Sequence, residues 1–472
     1  MMRGHPGWSY RPYRFDRQDL PLMHIVRMAP GRDELAFEWL WSGEEPAPET
    51  VRATLRRLED GWTRTAEIHE QTETLRGLRP DCDYELVLES SCQGGTARRL
   101  FRTGEVPGTV VNYLHPQDPC YQFSGRFLCS PSLVKAPSGA LIASMDVYAR
   151  GAPQNLTILF RSEDGGRTWR YLSELFPCFW GRLFIHRGCL YMLAVSTEYG
   201  DLLIGKSEDE GRTFGTPAVI ARGSSHRSFP GFHKAPVRIQ PYQHRLWTGV
   251  EFGCTERGGY LPMLLSADQD ADLLRPENWT MTKPVWSQEH WRCPLGTDRL
   301  NCLEGNAAVM PDGTLVDLLR TDTTHCSPPY GQALLLRADP ARPENRLEYA
   351  GLSQFPGNLS KFELVEDEQA GGYYLIYNHI RDVQSLFHRN ILAVAWSRDL
   401  VRWEHLTDVC PFGDKDPREV AFQYPAAILD GDALLILSRT AWNGADSFHN
   451  SNLITLHRVE NIRQYRKREE NV

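Results

Sequence analysis

From about residue 110 onward the sequence repeats itself. Two apolar runs joined by a Gly-rich or polar turn recur six times, at spacings of about fifty to sixty residues. The six copies read "SLVKAPSGALIASMD", "GRLFIHRGCLYMLAVSTE", "APVRIQPYQHRLWTGVE", "AAVMPDGTLVDLLR", "SKFELVEDEQAGGYYLIYNHI" and "AAILDGDALLILSR". Each pattern of run, tight turn and run is a β-hairpin. A lone hairpin cannot bury both faces, whereas a ring of stacked sheets buries them all. Six hairpins therefore predict six propeller blades. The last run, "SNLITLHRVEN", is expected outside the sixth hairpin. No strand is assigned to close the ring.

The outer halves of two blades carry nearly the same text, "RSEDGGRTW" (161–169) and "KSEDEGRTF" (206–214). Degraded copies follow as "SADQDADLLRPENW" and "SRDLVRWEHL". In the first copy Asp164 can accept turn N–H groups, Gly166 allows a tight bend and Trp169 can pack between sheets. Such a turn joins the third and fourth strands of a blade. The mouth is served by the start of strand one and the end of strand two, so the repeat is scaffolding on the opposite face.

The residues before about 104 read differently. "LAFEWLW", "TVRATLRRL" and "DYELVLES" alternate like strands. In "LRGLRPDCDYELVLES", Leu78, Pro80 and Tyr84 precede an alternating run. This resembles the tyrosine corner of fibronectin type III domains, over roughly residues 20–103. Trp39 or Trp41 would fill that core. The expected organisation is all-β: an extension over 1–19, a fibronectin type III-like β-sandwich over 20–105, and a six-bladed β-propeller over 106–472.

Composition narrows the function. The 472 residues carry a formal net charge of -8, which argues against a nucleic-acid partner. Eleven cysteines are scattered without a Cys-x-x-Cys pair, so neither a zinc site nor a disulfide framework is expected. Reduced thiols, no visible apolar leader and no membrane-length apolar run lead to the expectation of a cytoplasmic protein that does not engage membranes. No phosphate-binding Gly loop and no metal-spaced cluster is found, so no cofactor and no metal are expected.

The hairpins also place a mouth. The positions before each inner strand include Arg126, Trp180, Arg182, His233, Glu304, Asn306, Lys361 and Tyr424. Those ending the second strands are Asp146, Glu198, Glu251, Arg320, His379 and Arg439. Polar groups at both positions in nearly every blade describe a polar ligand well.

Six blades with the repeated outer turn resemble the sialidase superfamily, over about three quarters of the chain. Two spans carry that resemblance. In "LEGNAAVMPDGTLVDLLR", Glu304 begins a strand and Arg320 ends the next. In "FQYPAAILDGDALLILSR", Tyr424 takes the place of the family's tyrosine nucleophile. The resemblance implies that Glu304 accepts the phenol proton, Tyr424 attacks an anomeric carbon, and Arg320 binds an anion.

Other positions depart from the family. Cys129, in "LCSPSL", replaces the first arginine of its carboxylate-binding triad. Gly151 stands near the acid position, followed by Gln154 and Asn155, and only Lys361 matches the third arginine. Asp146, His233 or Glu251 could replace that acid, and Asp146 is taken as the expected proton donor. The expected substrate-binding set is Arg320, Lys361, Arg439, His233, Glu251, Gln154, Trp180 and His379. Trp442, Asn443 and His449 follow in a loop with sugar-contact chemistry.

The expected activity is that of an exo-acting glycoside hydrolase on an acidic or otherwise polar glycan. Two alternatives stay open. One is a uronate lyase using His233, His379 or Tyr424 as base and Arg320 or Arg439 to neutralise the carboxylate. The other is a glycan-binding propeller without catalysis. The expected partner is a glycan or oligosaccharide, and a homo-oligomer is left open.

Overall fold

The six hairpins form the inner halves of six sheets arranged as a β-propeller. The computed structural model describes residues 8, 22–43, 46–90, 95–224, 230–254, 259–285, 302–324, 328–354, 357, 359–381 and 386–466. No helix among them is long and apolar enough to cross a membrane.

Blade 1 runs Phe127–Lys135, Leu141–Tyr148, Leu156–Ser162 and Arg170–Leu175, each antiparallel to the next. Blades 2, 4 and 5 repeat this order with inner strands Phe179–His186, Cys302–Val309 and Glu363–Asp367. Blade 3 differs. Its inner strand is split into Gly231–His233 and Gln240–Tyr242, both paired to Arg245–Cys254. Pro236, in the gap between the two pieces, explains part of this, since proline cannot supply a ladder N–H.

The ring closes where the sequence left a gap. Blade 6 is Ala421–Asp430, Ala433–Ala441, Leu453–Val459 and, as its outer strand, Thr109–Tyr113 from the N-terminal side. "SNLITLHRVEN" is thus the third strand, and the two ends of the propeller segment are joined in one sheet. Closure of this kind leaves the ring no open seam.

The repeated outer turns behave as their text predicts. Asp164 accepts from the Thr168 N–H at 2.9 Å and from its hydroxyl at 2.7 Å. Ser162 Oγ accepts from the Gly166 N–H at 2.8 Å. Trp169 is buried and donates to the Gly166 carbonyl at 3.1 Å. Ser207, Asp209, Gly211 and Thr213 repeat these bonds. Gly166 sits at φ +91°, and a Cβ there would lie 2.1 Å from Leu456 Cδ2. Gly165 is also left-handed but has open space around it. Gly166→Ala is therefore expected to destabilise the protein by about 2–4 kcal/mol, and Gly165→Ala by about 1 kcal/mol. Denaturant midpoints of the two variants check the contrast.

The β-sandwich consists of Met23–Pro30, Glu34–Trp41 and Thr72–Arg76 facing Thr63–Ile68, Val51–Arg57, Asp83–Glu89 and Thr96–Arg102. Trp39 is buried in its core while Trp41 packs at the edge. The Tyr84 hydroxyl accepts from the Arg79 N–H at 2.9 Å, closing a corner between the strands. Tyr113 and Leu453 of blade 6 belong to the same apolar cluster. A buried Arg99–Asp118 pair at 2.7 Å also ties the sandwich to the propeller.

Candidate active site

In blades 1, 2, 4 and 6 the inner strand is interrupted at the same point. The pairing register shifts there by one residue. The residues concerned, Ser130, Trp180, Glu304 and Tyr424, have φ of +50°, +52°, +59° and +51°. This is a β-bulge, an extra residue that kinks the strand and re-aims a side chain. Left-handed backbone costs an ordinary residue about 1–2 kcal/mol, so neighbours must hold each bulge in place.

The preceding blade does so in three cases. Asp146 of blade 1 accepts the Trp180 N–H at 2.7 Å. Glu251 of blade 3 accepts the Gly305 N–H at 3.1 Å, beside Glu304. Lys361, just before blade 5, donates to the Pro425 carbonyl at 2.6 Å, beside Tyr424. These three side chains are buried and serve as clamps.

Asp146 is fully buried, with its other oxygen held by the Thr157 hydroxyl at 2.5 Å. Burial raises its carboxyl well above the ordinary value, against the hydrogen bonds from Thr157 and Trp180. The proton donor expected here has no oxygen turned to the mouth. Lys361, expected to bind substrate, is likewise sealed in by Glu363 at 2.9 Å. Gln154 is buried within its own loop and donates to the Ala149 carbonyl at 3.1 Å. His379 stands apart, against the outer strand of blade 5.

Glu304, Arg320 and Tyr424 do come together. Arg320 Nη1 lies 2.9 Å from Glu304 Oε2 and 3.3 Å from the Tyr424 hydroxyl. Burial works to raise the Glu304 carboxyl, but Arg320, His233 and Tyr424 together hold it below its ordinary 4.5. The Tyr424 phenol moves up, through burial and then the Glu304 charge, against the pull of Arg320, Arg389 and Arg439.

Two of those arginines cover the Tyr424 ring. The Arg439 guanidinium is 5.3 Å from its centroid and Arg389 is 5.7 Å away. Arg439 also covers Tyr148 at 5.5 Å and donates to the His449 carbonyl. Arg389 is buried and bonds Gln423 Oε1 at 2.5 Å, and burial pushes its pKa down to about 10. Arg320, Arg439 and Lys361 were expected to bind substrate here, and Arg389 was not. Three arginines surround Tyr424.

Arg389 was missed because only hairpin positions were counted. In an antiparallel blade the third strand also starts at the mouth. Arg389, two residues before Ile391–Ser397, occupies that position. The other side of the well is aromatic. Trp180 packs on His233 at 4.4 Å, His233 on Tyr260 at 4.9 Å, and Tyr199 meets Tyr260 hydroxyl to hydroxyl at 3.0 Å. His233 is fixed by Glu251 at 2.7 Å.

No family model and no curated protein matches the sequence. Solved structures do. The leech intramolecular trans-sialidase superposes with a TM-score of 0.52 at 10% identity, over 95% of this chain and 93% of that one. The Hadza microbial sialidase gives 0.50 at 13% identity, over 98% of both chains. The Penicillium chrysogenum alpha-L-arabinanase complexed with arabinobiose gives 0.50 at 14% identity, over 76% of this chain and 99% of that one. At these identities the likeness is one of fold alone, an all-β propeller.

Proposed function

We propose that the protein is a retaining glycoside hydrolase acting on an acidic sugar, with Tyr424 as nucleophile. The observation that carries this is the contact chain from Glu304 through Arg320 to Tyr424, ringed by Arg389 and Arg439. A phenol is a poor nucleophile unless a base takes its proton. Glu304, kept ionised by its neighbours, is that base. Three guanidinium groups favour a substrate carboxylate, and a neutral phenol approaches an anionic anomeric centre more readily than a carboxylate does.

The chemistry then runs in two steps. Tyr424 Oη bonds to the anomeric carbon as its proton passes to Glu304, while the glycosidic C–O bond breaks and the leaving oxygen receives a proton. Water next attacks the same carbon, and the phenol departs and recovers its proton. Glu198 supplies and recovers the leaving-group proton. It lies in the turn after Cys189–Val195, is partly exposed, and raises both Tyr148 and Tyr260, secondary to their burial. The role rests on its hairpin position, since Glu198 follows the second strand of blade 2, where the mouth is served.

A panel of aryl glycosides of acidic and neutral sugars, with uronate oligosaccharides, tests the reading. The expected result is release of an acidic sugar, with no new ultraviolet absorbance from the uronate oligosaccharides. A product with a new double bond, absorbing in the near ultraviolet, would mean elimination and overturn it. Glu198→Gln is expected to slow aryl glycosides with poor leaving groups by about 10²–10⁴-fold, while good leaving groups change much less.

A further inference from the structure

Blade 5 holds a second cluster that the reaction above does not use. His379 follows the second strand, Gly372–Asn378, while His405 and Asp408 lie on the fourth, Glu404–Pro411. His379 Nδ1 is 3.3 Å from Asp408 Oδ1, and His405 Nε2 is 3.5 Å from the same oxygen. The three donor atoms lie within 4.8 Å of one another.

We infer that His379, His405 and Asp408 form a binding site for a divalent transition-metal ion of the zinc type. The spacing supports this. A tetrahedral ion with ligands at about 2.0–2.1 Å sets its donor atoms about 3.3–3.4 Å apart. Two of the three edges already have that length, and a small rotation of the exposed His405 ring supplies the third. Two imidazoles and one carboxylate are a donor set that suits zinc and its neighbours better than magnesium or calcium.

The surroundings orient the donors. The Tyr377 hydroxyl meets His405 Nδ1 at 3.0 Å, which turns Nε2 toward Asp408. Such an outer partner fixes the tautomer of a ligating histidine. Arg381 occupies Asp408 Oδ2 and leaves Oδ1 to the imidazoles. Ala393 of the intervening strand is the register partner of both Tyr377 and Asp408, so only a methyl group separates side chains from the second and fourth strands. His379 and Asp408 are 29 residues apart in sequence, which is why no metal pattern is visible there. A bound ion would pin the outer strand of blade 5 to its second strand.

The test uses the full-length protein after chelation, titrated calorimetrically with zinc sulfate and separately with magnesium chloride. One equivalent of zinc with a micromolar or tighter Kd, and no magnesium uptake, is expected. His405→Gln and Asp408→Asn should each weaken zinc at least tenfold. Tyr377→Phe should weaken it less but measurably. Folding of each variant is checked by circular dichroism, and the wild-type titration stands whatever they do. No stoichiometric zinc uptake by the wild type, or uptake unchanged in folded His405→Gln and Asp408→Asn, would overturn the site.

Discussion

Glu304→Gln is expected to lower kcat/KM on any responsive acidic glycoside by about 10²–10⁴-fold, the usual contribution of a positioned proton acceptor. The amide keeps the shape of the side chain and can still accept from Arg320, so the bulge and the arginine ring should survive. Substrate affinity should then change only a few-fold, which separates catalysis from mere binding. Tyr424→Phe should abolish turnover more completely, because the oxygen proposed as nucleophile is itself lost. The pH profile adds an independent check. Because Glu304 is held below its ordinary 4.5, it remains ionised as the pH falls through that value. The acid limb of kcat/KM due to this group should therefore lie below 4.5, and Glu304→Gln should remove it. A folded Glu304→Gln protein with wild-type turnover would take the proton acceptor out of the mechanism.

The repeat made most of the fold legible. Hairpins announce themselves through alternation and turn chemistry, both local properties of the chain. Glu304, Arg320 and Tyr424 were legible for the same reason, since each is placed by its own hairpin. What stayed hidden depends on contacts between blades. Asp146, Glu251 and Lys361 occupy mouth positions by counting. Their charges are nevertheless consumed by backbone groups of the next blade. A count along one strand cannot see a bulge in its neighbour. Arg389 escaped because a third-strand start carries no turn signature. The strand 109–113 escaped because its partner, Leu453–Val459, lies at the far end of the chain. Local pattern thus carried the blades, and the interfaces between blades decided which polar residues are taken up by neighbouring backbone and which are left to one another.

Glu363→Ala is expected to destabilise the protein by about 3–5 kcal/mol, the cost of leaving a buried charge unpaired. Glu363 is fully buried beside the propeller axis. It accepts from Arg182 of blade 2 at 2.6 Å and from Lys361 at 2.9 Å. A pair linking blades 2 and 5 spans the ring, so its carboxylate ties together elements far apart in sequence. Lys234 of blade 3 is near enough for Arg182 and Lys361 to depress it, after burial, to about 7. Removing Glu363 would leave two buried cations facing each other and a third close by. Glu251 acts on Lys234 and Glu304 on Lys361, but among the described residues neither is a direct ion-pair partner of Arg182 or Lys361. The exposed Glu348–Arg337 pair is the natural control. Glu348→Ala should cost no more than about 1 kcal/mol, because water screens both partners. Denaturant unfolding of both variants decides the matter, and a small effect at Glu363 would show that the axis is hydrated. The expected loss also bears on function, since Lys361 clamps the Tyr424 bulge through Pro425. Weakening its partner should misplace Tyr424, the proposed nucleophile, lowering kcat in the folded fraction, whereas Glu348→Ala should leave kcat unchanged.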